Sequence, residues 1–523
     1  MEQLRLADLL AGLSLVADAG MGLEPGEAAR AALVAMELAN AVDAPEPTDI
    51  YYTTLLQHIG CTAYAHEAAT LLGGDEIAVK NAAVRTDFSD PRDILRSYLP
   101  HLAPTADILT RIRVAGTAAI HASAIVRGYS SANCEVAART AERVGLRQGV
   151  STGLTDIYEQ WDGKGGPRGL RGDAIALPAR IAQVAVTAAL FHRLGGTSLA
   201  VEAVRRRAGT ALDPKLAEII RRKGNAILGL VDAADIVEAA VAAEPAPIVR
   251  VSELSIDRVC RAFGDVVDLK TPLHHDHASG VARVVAAAAE RLGLGTAEVA
   301  ALRRAGFLHD IGRAAVPTGV WERRGTLTWS DHERIRLHAY HTERVLIRCV
   351  PLAELAPIAG MHHERLDGSG YHRQAMATSV PLPARVLAAA DAFQAMTQPR
   401  AHRPRRSAEE AADVVVAEAR AGRLDVDAAR AIAQSAGATV APIKRRDTGG
   451  LTERQVDVLR LVAAGLSNPQ IARRLFISPR TAEHHVQDLY ARIGVSSRAA
   501  AALFGMEHDL LSGKMGRSTD AGC

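Results

Sequence analysis

Residues 451–493 read LTERQVDVLRLVAAGLSNPQIARRLFISPRTAEHHVQDLYARI, and their spacing predicts three helices. Thr452 is a natural N-cap, and Val456, Leu459, Leu461 and Val462 follow on one helical face until Gly465-Leu466 ends the run. Asn468-Pro469 opens the second helix, because Asn caps well and Pro is tolerated at the first helical position; Ile471, Ala472 and Leu475 form its apolar stripe. Ser478-Pro479 repeats the device. The third helix buries Ala482, Val486, Leu489 and Ile493 and turns Arg480, Glu483, His484, Gln487 and Arg492 outward. A turn of about three residues joins the second and third helices, as a helix-turn-helix requires.

The strings Leu451-Thr-Glu-Arg-Gln, Gly465-Leu-Ser-Asn, Ile471-Ala, Ile477-Ser, Thr481, His485-Val486, Ile493-Gly-Val and Ser497-Arg498 resemble the LuxR-type helix-turn-helix throughout its length. That resemblance implies a DNA-binding transcription regulator whose third helix enters the major groove of double-stranded DNA. It brings Glu483, His484 and Gln487 to base edges, makes Asn468, Arg480 and Arg492 candidates for phosphate, and counts Thr481 in the DNA-binding set. Glu483 stands where many members place Lys, which points to a cytosine amino group as its contact. Homodimers are expected, since the motif usually reads two half-sites about one helical turn apart. Local charge agrees: residues 444–498 hold ten Lys/Arg against five Asp/Glu. The alternative is a protein-docking module with an incidental basic face.

Taken whole, the 523 residues are nearly neutral, 61 Lys+Arg against 59 Asp+Glu, so no chain-wide field draws in nucleic acid or an anionic membrane. Alanine fills the apolar positions, aromatics are only 4%, and alternating strand-like runs are scarce, so the fold is expected to be all-α. Cys61, Cys134, Cys260, Cys349 and Cys523 are scattered and never form a CxxC pair, which argues against a disulfide framework or a zinc finger and suits a reducing cytoplasm. The N-terminus lacks a basic stretch followed by an apolar core. No apolar run approaches the ~18 residues of a membrane span, so a cytoplasmic protein without membrane contact is expected.

Two breaks divide the chain. Residues 239–247 (AAVAAEPAP) lose periodicity and gain prolines, and residues 437–450 (GATVAPIKRRDTGG) add glycines and a basic cluster. The segments before them echo one another. Leu55-Leu56-Gln57-His58-Ile59-Gly60 matches Phe307-Leu308-His309-Asp310-Ile311-Gly312 at an offset of 252. Tyr158 to Gly165 matches His363 to Gly370, and Leu177-Pro178-Ala179-Arg180-Ile181 matches Leu382-Pro383-Ala384-Arg385-Val386, both at an offset of 205. The order is kept and one offset recurs, so a tandem duplication of a helical domain is expected. The expected layout is a first copy over 1–240, a second over 251–436, a linker over 437–450 and a four-helix DNA-binding domain over 451–512.

Between His277 and Asp391 the second copy concentrates histidines and aspartates. Imidazole nitrogen and carboxylate oxygen together suit iron, manganese or zinc, and a carboxylate next to a His can bridge two ions. From Lys270 to Ser407 the sequence resembles the HD-GYP metal-dependent phosphohydrolases: Thr271-Pro272 and His277; His309-Asp310-Ile311-Gly312; His338; His362-His363-Glu364 with Asp367-Gly368 and Gly370-Tyr371; Arg385 and Asp391. The resemblance implies that His277, His309, Asp310, His338, His362, His363 and Asp391 ligate two divalent ions, with Asp310 bridging. It also implies that Gly368, Gly370 and Tyr371 frame a nucleotide, and that a phosphodiester, cyclic di-GMP for the family, is hydrolysed. Two positions depart from the pattern. Arg313 replaces the usual Lys after the HD pair; it still clamps phosphate but does not give up a proton. His372 replaces the Pro of Gly-Tyr-Pro, and loss of the fixed φ is expected to loosen the loop.

The first copy has lost this set: Gln57 and His58 stand where the second has His309 and Asp310, Ile157 and Tyr158 replace the His pair, and Val186 replaces Asp391. A sensory or dimerising role is expected of it. His58, Cys61, His66 and Glu67 lie within ten residues, either as a redox or metal site or as ordinary helix-end packing. Two functions follow. One is a regulator whose HD domains sense a ligand or metal state. The other is an active cyclic dinucleotide phosphodiesterase, or an enzyme for another phosphate ligand, with DNA binding as a targeting device.

Overall fold

The computed structural model describes residues 4–104, 106–323, 325–400, 403–437, 451–508 and 510–511. The expected linker therefore lies outside the described residues, Gly437 excepted. Among them the chain is all-α, with 25 α-helices and no β-strand. It folds as two compact units, Met1–Asp276 with Asp310–Ala356, and His277–His309 with Pro357–Cys523.

The first unit is built around helix Leu6–Gly20, on which Leu6, Leu9, Leu10 and Leu13 are wholly buried; a helix apolar all round belongs in a core. Helices Glu27–Ala41 and Pro47–Leu56, the short turn Ile311–Ala315 and helix Trp329–Leu346 pack against it. Small residues set the spacing: a Cβ on Gly12 would lie 2.5 Å from that of Cys349. The long helix Leu177–Arg207 packs on Glu27–Ala41, Pro47–Leu56 and Pro214–Leu228 through fully buried Ala179, Ala182, Ala185, Ala188 and Ala189. By length and composition this helix is apolar enough to cross a membrane, contrary to the expectation from the sequence, where polar Gln183 and Thr187 interrupt the run. Its backbone leaves helical geometry at Gly195 and Gly196.

In the second unit, helices His277–Arg291, Thr296–Leu308, Leu382–Thr397, Ala408–Arg420 and Val426–Ser435 enclose a core of Val281, Val285, Leu302, Val386, Leu387, Phe393, Val415 and Ile432. The tail follows as Glu453–Ala463, Asn468–Arg474, Pro479–Ile493 and Arg498–Glu507. Thr452 caps its first helix by accepting the Gln455 N–H, and Ser478 caps the third by accepting that of Thr481. The second helix is capped by Ser467, in a capping box with Gln470, and not by Asn468, which is its first helical residue. All predicted core positions of the tail pack together, with Ile493 partly buried.

The sequence echo has a structural counterpart. In the second copy the Glu364 carboxylate accepts the N–H of Arg373 (2.6 Å) and Ala375 (2.8 Å), and Tyr371 N donates to His363 O. In the first, at the same offset of 205, Glu159 accepts from Arg168 (2.7 Å) and Leu170 (2.8 Å), and Gly166 N donates to Tyr158 O. Arg385 likewise reaches the helix-capping Asp425 at 3.3 Å, as Arg180 reaches the helix-capping Asp213 at 3.1 Å.

Candidate metal centre and nucleic-acid interface

In the second unit His277 opens a helix, His309 closes another, His362 and His363 follow Ala356–Gly360, and Asp391 lies inside Leu382–Thr397. The chain brings the five together. The ligand atoms of His277, His309 and Asp391 lie within 4.8 Å of one another, as do those of His362 and His363. His277 Nε2 is 3.2 Å and His309 Nε2 3.6 Å from Asp391 Oδ1, while His363 Nδ1 is 3.7 Å from Oδ2. His277, His309 and His362 are completely buried.

The ring tautomers carry the chemistry. His309 Nδ1 lies 2.8 Å from Gly306 O and His362 Nδ1 2.6 Å from Ala359 O. A carbonyl can only accept, so each Nδ1 carries the proton and, in the neutral ring, each Nε2 keeps its lone pair. His277 follows suit, with Nδ1 2.8 Å from Gln398 Oε1. A neutral Nε2 facing a carboxylate sets two acceptors against each other, an arrangement stabilised by a cation between them. This is the outer-shell pattern of metal-ligating histidines. The donor set fits a divalent metal.

In the first unit the same pattern recurs on a smaller scale. His338 donates Nδ1–H to Ile335 O, and its Nε2 is 3.2 Å from Asp310 Oδ1; both residues are buried. Arg313 Nη2 sits 2.6 Å from Asp310 Oδ2 and its guanidinium lies over Trp321, 5.1 Å from the ring centroid. Trp321 also meets His338 and His274 edge-on at 5.7 and 5.6 Å. Sequence reasoning passed over Trp321; the only signal was its rarity, one of three tryptophans. Gly312 has to be glycine, because a Cβ there would lie 2.0 Å from His338 O.

The loop after His363 is held without the proline. Glu364 pins it through the two N–H bonds above, and the Tyr371 ring stacks on His363 at 4.6 Å. A Cβ on Gly370 would fall 2.4 Å from Arg365 N, and Gly368 has φ +78°. Glu364 thus holds the loop in which His372 stands in place of the proline, by the same bonds that Glu159 makes in the first copy.

The His58–Glu67 cluster, by contrast, does not assemble. His66 Nδ1 is 2.7 Å from Glu322, which also accepts from Thr271, and Glu67 is exposed. Burial pushes the Cys61 thiol up and, with Lys80 nearby, the His58 imidazole down to about 4. Packing is its role among the described residues.

On the tail's third helix Arg480, Thr481, Glu483, His484, Gln487 and Arg492 are all exposed. Thr481 Oγ1 lies 2.7 Å from the capping Ser478 hydroxyl, and His484 pairs with Asp488 at 3.4 Å. Asn468 is half-buried, its amide oxygen accepting from Arg498 at 2.6 Å.

Geometry and family agree on the class of protein. Residues 261–428 match the HD domain family, and residues 450–504 match the luxR family of bacterial regulatory proteins. The chain carries an HD domain and a C-terminal LuxR-type helix-turn-helix domain, and its relatives include cyclic dinucleotide phosphodiesterases and, over 53 residues, putative HTH-type transcriptional regulators. Among them, 3'3'-cGAMP-specific phosphodiesterase 3 of Vibrio cholerae is 28% identical over 406 residues, 76% of this chain and 87% of the relative. The 3'3'-cGAMP-specific phosphodiesterase 1 of the same organism is 35% identical over 167 residues, 32% of this chain and 39% of the relative. A crystal structure of a V. cholerae cyclic GMP-AMP specific phosphodiesterase, V-cGAP3, shares the fold with TM-score 0.58 and 23% identity, covering 84% of this chain and 99% of that one.

Proposed function

We propose that this chain is a DNA-binding regulator whose HD domain holds two divalent ions and hydrolyses a cyclic dinucleotide. The observation that carries the reading is the set of histidines whose Nδ1–H is spent on an oxygen acceptor while Nε2 faces Asp391 or Asp310. His277, His309, His362, His363 and Asp391 would hold the ions together with His338 and with Asp310, the residue bonded to His309. When bound, the ions supply Lewis acidity toward a water and the phosphoryl oxygens.

The chain's own groups do the rest. Arg313 orients Asp310 and offers N–H donors for phosphate charge. Glu364 fixes the loop of Gly368, Gly370 and Tyr371 that would seat the nucleotide. His277, His309 and His362 are fully buried, and the lower effective dielectric around them strengthens each of these interactions. The printed names of the relatives make 3'3'-cGAMP and cyclic di-GMP the first substrates to assay, with the His309→Ala, Asp310→Ala protein as control. Loss of a linear dinucleotide product in the control supports the reading, and absence of product from the native protein contradicts it.

A second reading, sensing without turnover, draws on the contact of Arg313 with Asp310 Oδ2, which commits one oxygen of the expected bridging carboxylate. Arg313→Lys separates the two: turnover gained on substitution favours the sensor. The exposed third helix supports double-stranded DNA as the partner and a homodimer as the working form.

A further inference from the structure

The second unit contains a contact that the sequence did not announce. Met376, from the loop that follows Tyr371, is 3% exposed and belongs to the same buried apolar cluster as the core residues of the DNA-binding tail, Leu459 and Leu475 among them. Next to it Thr378 Oγ1 lies 3.0 Å from Asp457 Oδ2 and accepts from Arg454 at 3.1 Å. Arg474 donates to Gln374 Oε1 at 2.9 Å and, at 3.5 Å, to Gly368 O. Arg385 Nη2 stands 3.7 Å from Glu453.

Arg474 ends the second helix of the tail, Asn468–Arg474. In a helix-turn-helix that helix crosses the phosphate backbone while the next one reads the groove. The guanidinium held by Gly368 and Gln374 is thus on the element that meets phosphate.

We propose that the segment from Gly368 to Thr378 is a docking surface for the DNA-binding domain, and that in the docked state it withholds Arg474 from DNA. DNA and the loop then compete for one cation, and each weakens the other's hold by the same factor. The segment overlaps the loop to which the proposed function assigns the nucleotide, and on that reading occupancy of the loop shifts DNA affinity. The competition itself does not depend on catalysis.

The test is made on the full chain without nucleotide. Binding to a mixed-sequence duplex is followed by fluorescence anisotropy for the native protein and for Gln374→Ala, Thr378→Val, which removes two docking partners and leaves every tail residue intact. Each lost hydrogen bond corresponds to about a fivefold factor, so DNA binding should tighten by up to roughly 30-fold. Adding Arg474→Ala to that variant should then reduce the slope of log affinity against log salt by about one. Unchanged or weaker DNA binding in Gln374→Ala, Thr378→Val overturns the proposal, and so does an unaltered salt slope. Should the double variant misfold, Gln374→Ala alone serves, with a smaller gain expected. Absence of cyclic dinucleotide hydrolysis with the DNA result intact would fail the proposed function and leave this inference standing.

Discussion

His277 places its Nε2 atom 3.2 Å from Asp391 Oδ1 while its Nδ1 faces the Gln398 side-chain oxygen at 2.8 Å. The glutamine orients the ring, so Gln398→Leu should leave the fold intact and lower metal affinity by about 10- to 100-fold, as loss of an outer-shell partner does. Competition against a chromogenic chelator measures it. Affinity equal to that of the native protein would show that Gln398 plays no orienting part.

Gly312 and Gly370 lie against backbone, with 2.0 Å and 2.4 Å to the nearest atom from an added Cβ. Alanine at either position has to move main chain, costing upward of about 2 kcal/mol. Thermal unfolding should show a clear drop for both. Gly293→Ala, at a left-handed turn with nothing within 4 Å, should cost less.

Burial raises the Asp457 carboxyl to about 6 from its ordinary value of 3.8. Its pKa is higher folded than unfolded, so its carboxyl disfavours the folded state once ionised: the penalty is absent below about pH 4 and complete above pH 6. A shift of this size corresponds to at most about 3 kcal/mol. The tail should be less stable at pH 7.5 than at pH 5, and Asp457→Asn should flatten that trend. Hydrogen exchange of residues 451–508 at the two pH values provides the comparison.

His58 behaves in the opposite sense. Its pKa is depressed by burial to about 4, so its contribution is present above pH 6.5 and is lost as pH falls toward 4. His58→Leu should make the first unit less sensitive to acid over that window, followed by circular dichroism. An unaltered acid transition would show that His58 does not ionise with unfolding.

What the sequence revealed, and what it hid, follows from the range of the interactions. Caps, stripes and turns are local, so Thr452, Ser478 and the buried faces of the tail were legible; the shift from Asn468 to Ser467 is a one-residue boundary effect between two good capping residues. The histidines and Asp391 could be singled out because residues 114 positions apart, such as His277 and Asp391, recur in a known order. Trp321 over Arg313, Glu364 under its loop and Arg474 against Gly368 are tertiary contacts with no periodicity to betray them. The His58–Glu67 cluster stayed open between two readings for the converse reason: nearness in sequence placed four polar residues together, and the fold sent His66 to Glu322.

The most direct measurement is metal content by plasma mass spectrometry on protein purified anaerobically, beside the His309→Ala, Asp310→Ala variant. The account predicts about two ions per chain in the native protein, the number that a two-metal hydrolase needs, and a marked loss in the variant. No metal in either protein, or equal metal in both, would contradict it.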